Sequence, residues 1–257
     1  NFAFMIQITI IGSGNVAQHL IKAFSASKIV EIKQVFSRKK EALLHLIDSE
    51  KIVTNLQALE PADLHIISVS DNAITEVSNQ LPFNNQLVVH TSGTSSIELL
   101  NPKNRRGVFY PLQTFSKNKA LDYSVVPFCL EAENTADFKL LETIAKSVST
   151  AVYSISSEQR KALHVAAVFV SNFTNHLYQM GHEICEENQV PFAVLKPLIQ
   201  ETADKINSLD PIDAQTGPAI RNDSNTTDAH MAFLQDENKK NIYKILTQSI
   251  QHNGKKL

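Results

Sequence analysis

Residues 10–20 read IIGSGNVAQHL. Gly12, Gly14 and Ala17 form a G-x-G-x-x-A pattern between the β-branched run IQITII (6–11) and what reads as the start of a helix. A dinucleotide fingerprint needs this strand–turn–helix setting. Gly12 permits the tight turn, Gly14 lets backbone approach a pyrophosphate, and Ala17 seats the helix close to the strand. Free N–H groups at the helix start, in the loop of Gly12, Ser13, Gly14, Asn15 and Val16, would then face the phosphates. The same pattern also serves as a tight turn with no ligand. Its place at the first βα turn of an α/β chain favours a nucleotide.

Outward from this loop, the runs VEIKQVF (30–36), LHIISV (64–69), QLVVH (86–90), GVFY (107–110), VPFCLE (126–131) and AVYSI (151–155) read as further strands. Several are apolar on both faces, which predicts a parallel sheet covered on both sides. After Ser156 the pattern changes. From Ser157 to Asn188 there is neither Pro nor strand-like alternation, and Ser157 followed by Glu158 reads as a capped helix start. A helix of up to about 30 residues would span roughly 45 Å. Pro191 opens a second helical stretch ending near Leu209, and the polar connection DPIDAQTGPAIRNDSNTTD (210–228) leads to a helix capped by Thr227 or Asp228. A last helix is expected from about Glu237 to Gln251. The reading is a Rossmann-like α/β domain over residues 1–156 and an all-helical domain over 157–257, with no internal repeat.

The composition belongs to a globular protein: 257 residues, 43% hydrophobic and 19% charged. The formal net charge is -2, and Lys and Arg are scattered apart from Arg38, Lys39 and Lys40, which argues against a nucleic-acid partner. Cys129 and Cys185 form no ligand spacing, so neither a disulfide framework nor a zinc site is indicated and a reducing cytoplasm is expected. The apolar start FAFMIQITII is too short to span a bilayer, so no membrane association is expected; Met5 reads as a start, with Asn1–Phe4 as an extension.

A dinucleotide's identity is usually read at the end of the second strand, where a carboxylate binds the ribose 2′-hydroxyl of NAD. Here that strand runs into VFSRKK, so Ser37, Arg38 and Lys39 offer a hydroxyl and two cations instead. A guanidinium pairs with phosphate and stacks on adenine, which favours NADP over NAD. Farther on, ISVSDNAI and VVHTSG place small and hydroxyl residues after apolar strands. In open α/β sheets the ligand crevice lies beyond the carboxyl ends of the strands. Ser68, Val69, Ser70, His90, Thr91, Ser92 and Gly93 are therefore candidates to flank ribose and nicotinamide. Asp71 and Ser95 also read as helix caps.

With the glycine loop, SVSD, VVHTSG, YPLQTF, HVAAVFVSNF and TGPAIRND in order, the chain resembles Rossmann-like oxidoreductases whose C-terminal half is a domain of unknown function (DUF 2520). These are often labelled NADP oxidoreductase, coenzyme deazaflavin-dependent. More distantly it is similar to pyrroline-5-carboxylate reductase, ketopantoate reductase and the 6-phosphogluconate and hydroxyisobutyrate dehydrogenases. The resemblance covers nearly the whole chain. It implies a 6-phosphogluconate-dehydrogenase-like helical domain packed on the Rossmann domain and a homodimer formed through it. The family's Arg-Gly-Asp is Arg221-Asn222-Asp223 here, and Asn tolerates positive φ better than most residues.

Hydride transfer to a carbonyl or imine needs a group that donates or orients a proton. At 100° per residue, Lys161, His164, Asn172 and Asn175 fall within about an 80° arc of the long helix. In the resembled dehydrogenases a Lys and an Asn on this helix face nicotinamide and substrate. By that resemblance Lys161 or His164 donates the proton here and Asn172 orients substrate, although the Lys-x-x-x-Asn spacing is not reproduced. Gln179, His182 and Glu186 continue the stripe, which reads equally as a solvated face. Arg221, Asp223 and His230 are candidates to close the site, and Gln113 and Thr114 to touch substrate. The expected function is an NADP-dependent oxidoreductase acting on a small molecule. The alternative is a non-catalytic NADP-binding sensor or scaffold.

Overall fold

Strand β1 (Ile6–Ile11) carries the β-branched run before the glycine turn, and its Ile8, Ile10 and Ile11 are fully buried. Around it run β2 (Val30–Phe36), β3 (Ile52–Val53), β4 (Leu64–Ile67), β5 (Leu87–His90), β6 (Arg105–Pro111), β7 (Phe128–Ala132) and β8 (Val152–Ser154). They form one sheet in the spatial order β3-β2-β1-β4-β5-β6-β7-β8. The computed structural model describes residues 5–116 and 119–254; Asn1–Phe4, read above as an extension, lie outside the described residues. The chain divides into two compact units, Asn1–Ser171 and Asn172–Leu257.

In the first unit all neighbouring strands pair parallel except β6 and β7. The parallel sheet expected from the apolar runs is present, with this one antiparallel pair. A parallel return needs a crossover, usually a helix. Among the described residues the segment between β6 and β7 contains only the 3-10 turn Tyr123–Val125, so β7 comes back antiparallel; α3 (Thr135–Lys146) then crosses over and restores parallel pairing of β8. Strand β3 escapes sequence reading because two residues carry no periodicity.

Strands β4 and β5 are buried at every position, as continuous apolar runs in a doubly covered sheet should be. Successive side chains point to opposite faces. Ile8, Ile10, Leu64, Ile66 and Val89 therefore meet Leu20, Ile21 and Phe24 of α1 (Asn15–Ser25) and Leu141 and Ile144 of α3. Ile11, Ile67 and Val88 face the other way, onto Ile74, Leu81 and Leu100. Each such buried side chain contributes about 1.5–3 kcal/mol.

After β8 the chain enters α4 (Ser157–Ala167), whose cap is Ser156 rather than the expected Ser157. Ser156 Oγ accepts from the Gln159 N–H at 3.3 Å, and Gln159 Oε1 accepts from the Ser156 N–H at 3.0 Å, a reciprocal capping box. A π segment (Val168–Phe173) follows, so the 100° step behind the Lys161-to-Asn175 stripe does not hold through these residues.

The second unit is helical: α5 (Thr174–Glu187), α6 (Lys196–Lys205), α7 (Ser224–Phe233) and α8 (Glu237–Gly254). Helix α7 starts earlier than expected. Asp223 caps it by accepting from the Thr226 N–H at 3.1 Å, whereas Thr227 sits buried inside the helix and Asp228 follows it there. Asn222, where the resemblance implies a glycine, adopts φ 52. No helix among the described residues is long and apolar enough to cross a membrane.

Candidate functional site

The sheet order reverses beside β1: the chain winds outward through β2 and β3, then resumes on β1's other side with β4 and β5. In an open α/β sheet this switch point opens a crevice beyond the strand ends. A cleft of ≈ 880 Å³ lies there, lined by the glycine loop, Phe36–Arg38 after β2, Ser68–Asp71 after β4, Thr91–Gly93 after β5, and His164.

Gly12 adopts φ +138, and a Cβ there would stand 2.0 Å from the Ser68 carbonyl oxygen. Only glycine lets β1's exit and β4's exit touch. At Gly14 a Cβ would meet nothing within 4 Å, leaving space in front of the loop. Gly14 is also the N-cap of α1; no side chain caps it and no acidic residue occupies the first turn. Such a helix start offers unsatisfied N–H groups to an anion. Buried Gln18 holds the loop from behind, its Nε2 donating to the Ser13 carbonyl at 2.9 Å.

The Ser37 hydroxyl is spent locally. It donates to the Lys39 carbonyl at 2.7 Å and accepts from the Lys39 N–H at 3.2 Å, which shapes the turn after β2. Arg38 is exposed and lines the cleft; Lys39 is exposed but not among the lining residues. Ser13, Asn15, Val16, Val69, Ser70, Thr91, Ser92 and Gly93 all line the cleft. Thr91 Oγ1 donates to Ser68 Oγ at 3.3 Å, tying the ends of β4 and β5 together.

His90 is fully buried in β5 and does not line the cleft. Its Nδ1 accepts from the Ser92 N–H at 3.2 Å, so Nε2–H donates to the Ser96 carbonyl at 3.2 Å. Burial, followed by the Arg160 guanidinium, pushes its pKa down to about 4. His90 is thus a neutral strut bracing the loop that carries Ser92 and Gly93.

Arg160 of α4 holds that loop from the other side. It is completely buried: Nε donates to the Ser92 carbonyl at 3.1 Å, Nη2 to the Ser95 carbonyl, and Nη1 to Glu131 at 2.7 Å. Ser157 Oγ completes the group, donating to Glu131 at 2.7 Å and accepting from Arg160 Nη2 at 3.1 Å. One turn farther along α4, His164 reaches the cleft, while Lys161 is exposed and is not among the lining residues. His164 Nδ1 lies 3.3 Å from the Tyr110 hydroxyl at the end of β6. Burial pushes the Tyr110 phenol up to about 12.

The remaining candidates are placed as follows. Gln113 and Thr114 bond to one another on an exposed loop that is anchored to α1 by Asn15 Nδ2 donating to the Phe115 carbonyl at 3.1 Å. In the second unit Asn172 is exposed in the π segment, Asp223 serves as a cap, and His230 Nδ1 lies 2.8 Å from the Tyr243 hydroxyl. Asp71 accepts from Thr94 Oγ1 at 2.8 Å, and the 3-10 turn after the β5 loop is capped by Ser96 instead of Ser95.

A family model described as NADP oxidoreductase, coenzyme F420-dependent, matches residues 7–93, and the domain of unknown function DUF2520 matches residues 126–250. A solved Bacteroides fragilis protein assigned as an NADP oxidoreductase is 40% identical, with 96% of this chain and 98% of that one covered and a TM-score of 0.87. The chain belongs to this family of NADP oxidoreductases. The oxidoreductase shares its fold with Plasmodium falciparum pyrroline carboxylate reductase, solved with NADP bound, at 14% identity over 97% of this chain and 98% of that one, TM-score 0.61. It likewise shares it with a Myxococcus stipitatus imine reductase variant in complex with NAD+, at 15% identity over 98% and 94%, TM-score 0.59. No curated protein sequence matches the chain.

Sequence reading of this oxidoreductase missed Arg160, Tyr110 and Gln18. The first looks like a solvated charge in a helix's first turn, the second like a strand-end aromatic, and the third like a polar position on an amphipathic helix. Their partners lie 68, 54 and 5 residues away, so the first two leave no local signal.

Proposed function

We propose that the chain is an NADP-dependent oxidoreductase that transfers hydride to or from a small carbonyl or imine compound. The observation that carries this reading is the cleft at the switch point, where an uncapped helix start, an open Gly14 and an exposed Arg38 come together. These residues fit a dinucleotide: backbone N–H groups of Asn15 and Val16 for the pyrophosphate, Arg38 for a 2′-phosphate, and Thr91–Gly93 toward the nicotinamide. Such a cofactor supplies or accepts a hydride when bound. The chain's own share is to orient the ring, exclude water and exchange a proton, and His164 is the titratable side chain of α4 that lines the cleft. NADP is favoured over NAD because β2 runs into Ser37-Arg38-Lys39, with no carboxylate at the position where one would repel a 2′-phosphate.

Calorimetric titration with NADPH and NADH tests this. NADPH should bind more tightly, and Arg38→Asp should weaken NADPH by about ten- to a hundredfold, the worth of a charge-assisted contact, while leaving NADH within a few-fold. Failure of both dinucleotides to bind, or tighter NADH, overturns it. The exposure of Lys161 favours the second reading, a dinucleotide-binding sensor without turnover. That reading is sunk by NADPH oxidation with any member of a panel of carbonyls and cyclic imines.

A further inference from the structure

We propose that Tyr110 is the positioning residue of this site, holding His164 in the tautomer whose Nε2–H is the proton donor in the cleft. The inference rests on the oxidoreductase reading above. Three observations outside the glycine loop converge on it. The Tyr110 hydroxyl lies 3.3 Å from His164 Nδ1, and among the described residues it has no other hydrogen-bond partner. The two rings are tilted against each other with centroids 6.4 Å apart. Beneath them is Gly93, where a Cβ would stand 2.5 Å from His164 Nδ1 and 2.9 Å from the Tyr110 ring and hydroxyl. Gly93 has no positive φ, so what requires glycine there is the approach of these two side chains.

The direction of the hydrogen bond follows from the groups. A neutral imidazole nitrogen is a better acceptor than a phenol oxygen, and a neutral histidine has one donor and one acceptor nitrogen. Burial holds the phenol's pKa near 12, so the hydroxyl keeps its proton at neutral pH and donates it to Nδ1. Nε2 then carries the ring proton and is the nitrogen left for a ligand.

The arrangement completes a reduction with every atom accounted for. A nicotinamide held in the cleft would supply the hydride to the carbon of C=X, and the electron pair left on X would then need a proton. X takes the proton from His164 Nε2, and the Tyr110 proton passes to Nδ1 in the same event. No imidazolate forms. The phenolate left behind is less basic than the alkoxide or amide anion it replaces; Nδ1 then returns its proton to the phenolate oxygen as Nε2 takes one from water, which restores the Nε2–H tautomer. In the oxidation direction each transfer reverses.

The test reads the imidazole directly. Protein labelled with ¹⁵N-histidine is examined by two-bond ¹H–¹⁵N correlation at about pH 8.5, where an ordinary imidazole is neutral. The His164 signals are identified by their loss in His164→Asn. The wild type should show a predominant Nε2–H form with Nδ1 unprotonated. Tyr110→Phe should raise the Nδ1–H fraction several-fold while the backbone amide spectrum stays native. Saturating NADPH should shift the His164 resonances. A predominant Nδ1–H form in the wild type overturns the proposal without recourse to any variant, as does an unchanged tautomer ratio in a folded Tyr110→Phe protein. NADPH that binds by calorimetry without moving His164 also overturns it. NADPH that does not bind at all instead removes the oxidoreductase reading, and the tautomer result then stands by itself as a structural fact.

Discussion

Arg160 bears a full charge at 0% exposure, and its guanidinium is satisfied by the Ser92 and Ser95 carbonyls, Glu131 and Ser157. Burying a charge is costly unless every donor finds a partner, and removing one partner strands the others. Arg160→Met keeps most of the volume but leaves two loop carbonyls and the Glu131 carboxylate short of donors. It should cost about 3–5 kcal/mol in unfolding free energy by urea denaturation. A loss below about 1 kcal/mol would mean that the loop is held by other contacts. The legible residues here are the glycines: Gly12 was readable because the need for a tight turn is local. Arg160 was not, because its burial depends on β5, β7 and α4 converging from distant parts of the chain.

Adjacent strands β4 and β5 each bury a histidine, His65 and His90, and burial lowers the pKa of each from 6.5 to about 4. The unfolded chain takes up these protons near pH 6.5, whereas the folded sheet refuses them until about pH 4. Their contribution is therefore full above pH 6.5 and is lost as pH falls toward 4, by up to about 3 kcal/mol for each group. Urea denaturation across this window should show stability falling with acid, and His90→Gln should make the fall distinctly shallower. Equal slopes in the two proteins would show that His90 protonates as readily when folded. At this scale the parallel strands were readable from their apolar runs. The reversal of β7 was not, since strand direction depends on whether a connection forms a crossover helix.

The second unit, Asn172–Leu257, buries few apolar side chains: among its described residues Met180, Cys185 and Ala219 are the buried hydrophobics. Val194, Leu198, Ile206, Leu209, Ile212 and Ile245 are exposed on it. The unit thus has little apolar core of its own and keeps much apolar surface in water. We propose that a second copy of the chain covers it. Sedimentation velocity at micromolar concentration should give twice the mass of one chain, and Leu198→Asp with Ile212→Asp should shift the population to monomer. A wild type that sediments as a monomer would refute this.

The sequence by itself determined the local features: a strand, a glycine turn and a helix in that order, the absence of a carboxylate after β2, and a change from strand to helix after Ser156. Each depends on residues within a turn or two of one another, where steric and capping preferences act. Tertiary structure alone decided that Ser37 is spent on its own turn while Arg38 faces the cleft, that His90 is a strut while His164 lines the wall, and that Tyr110 and Gly93 meet His164. Those roles depend on burial and on neighbours brought together by the sheet. Both histidines read as site candidates, and they acquired different tasks because one lies inside a strand and the other on a helix at the strand ends.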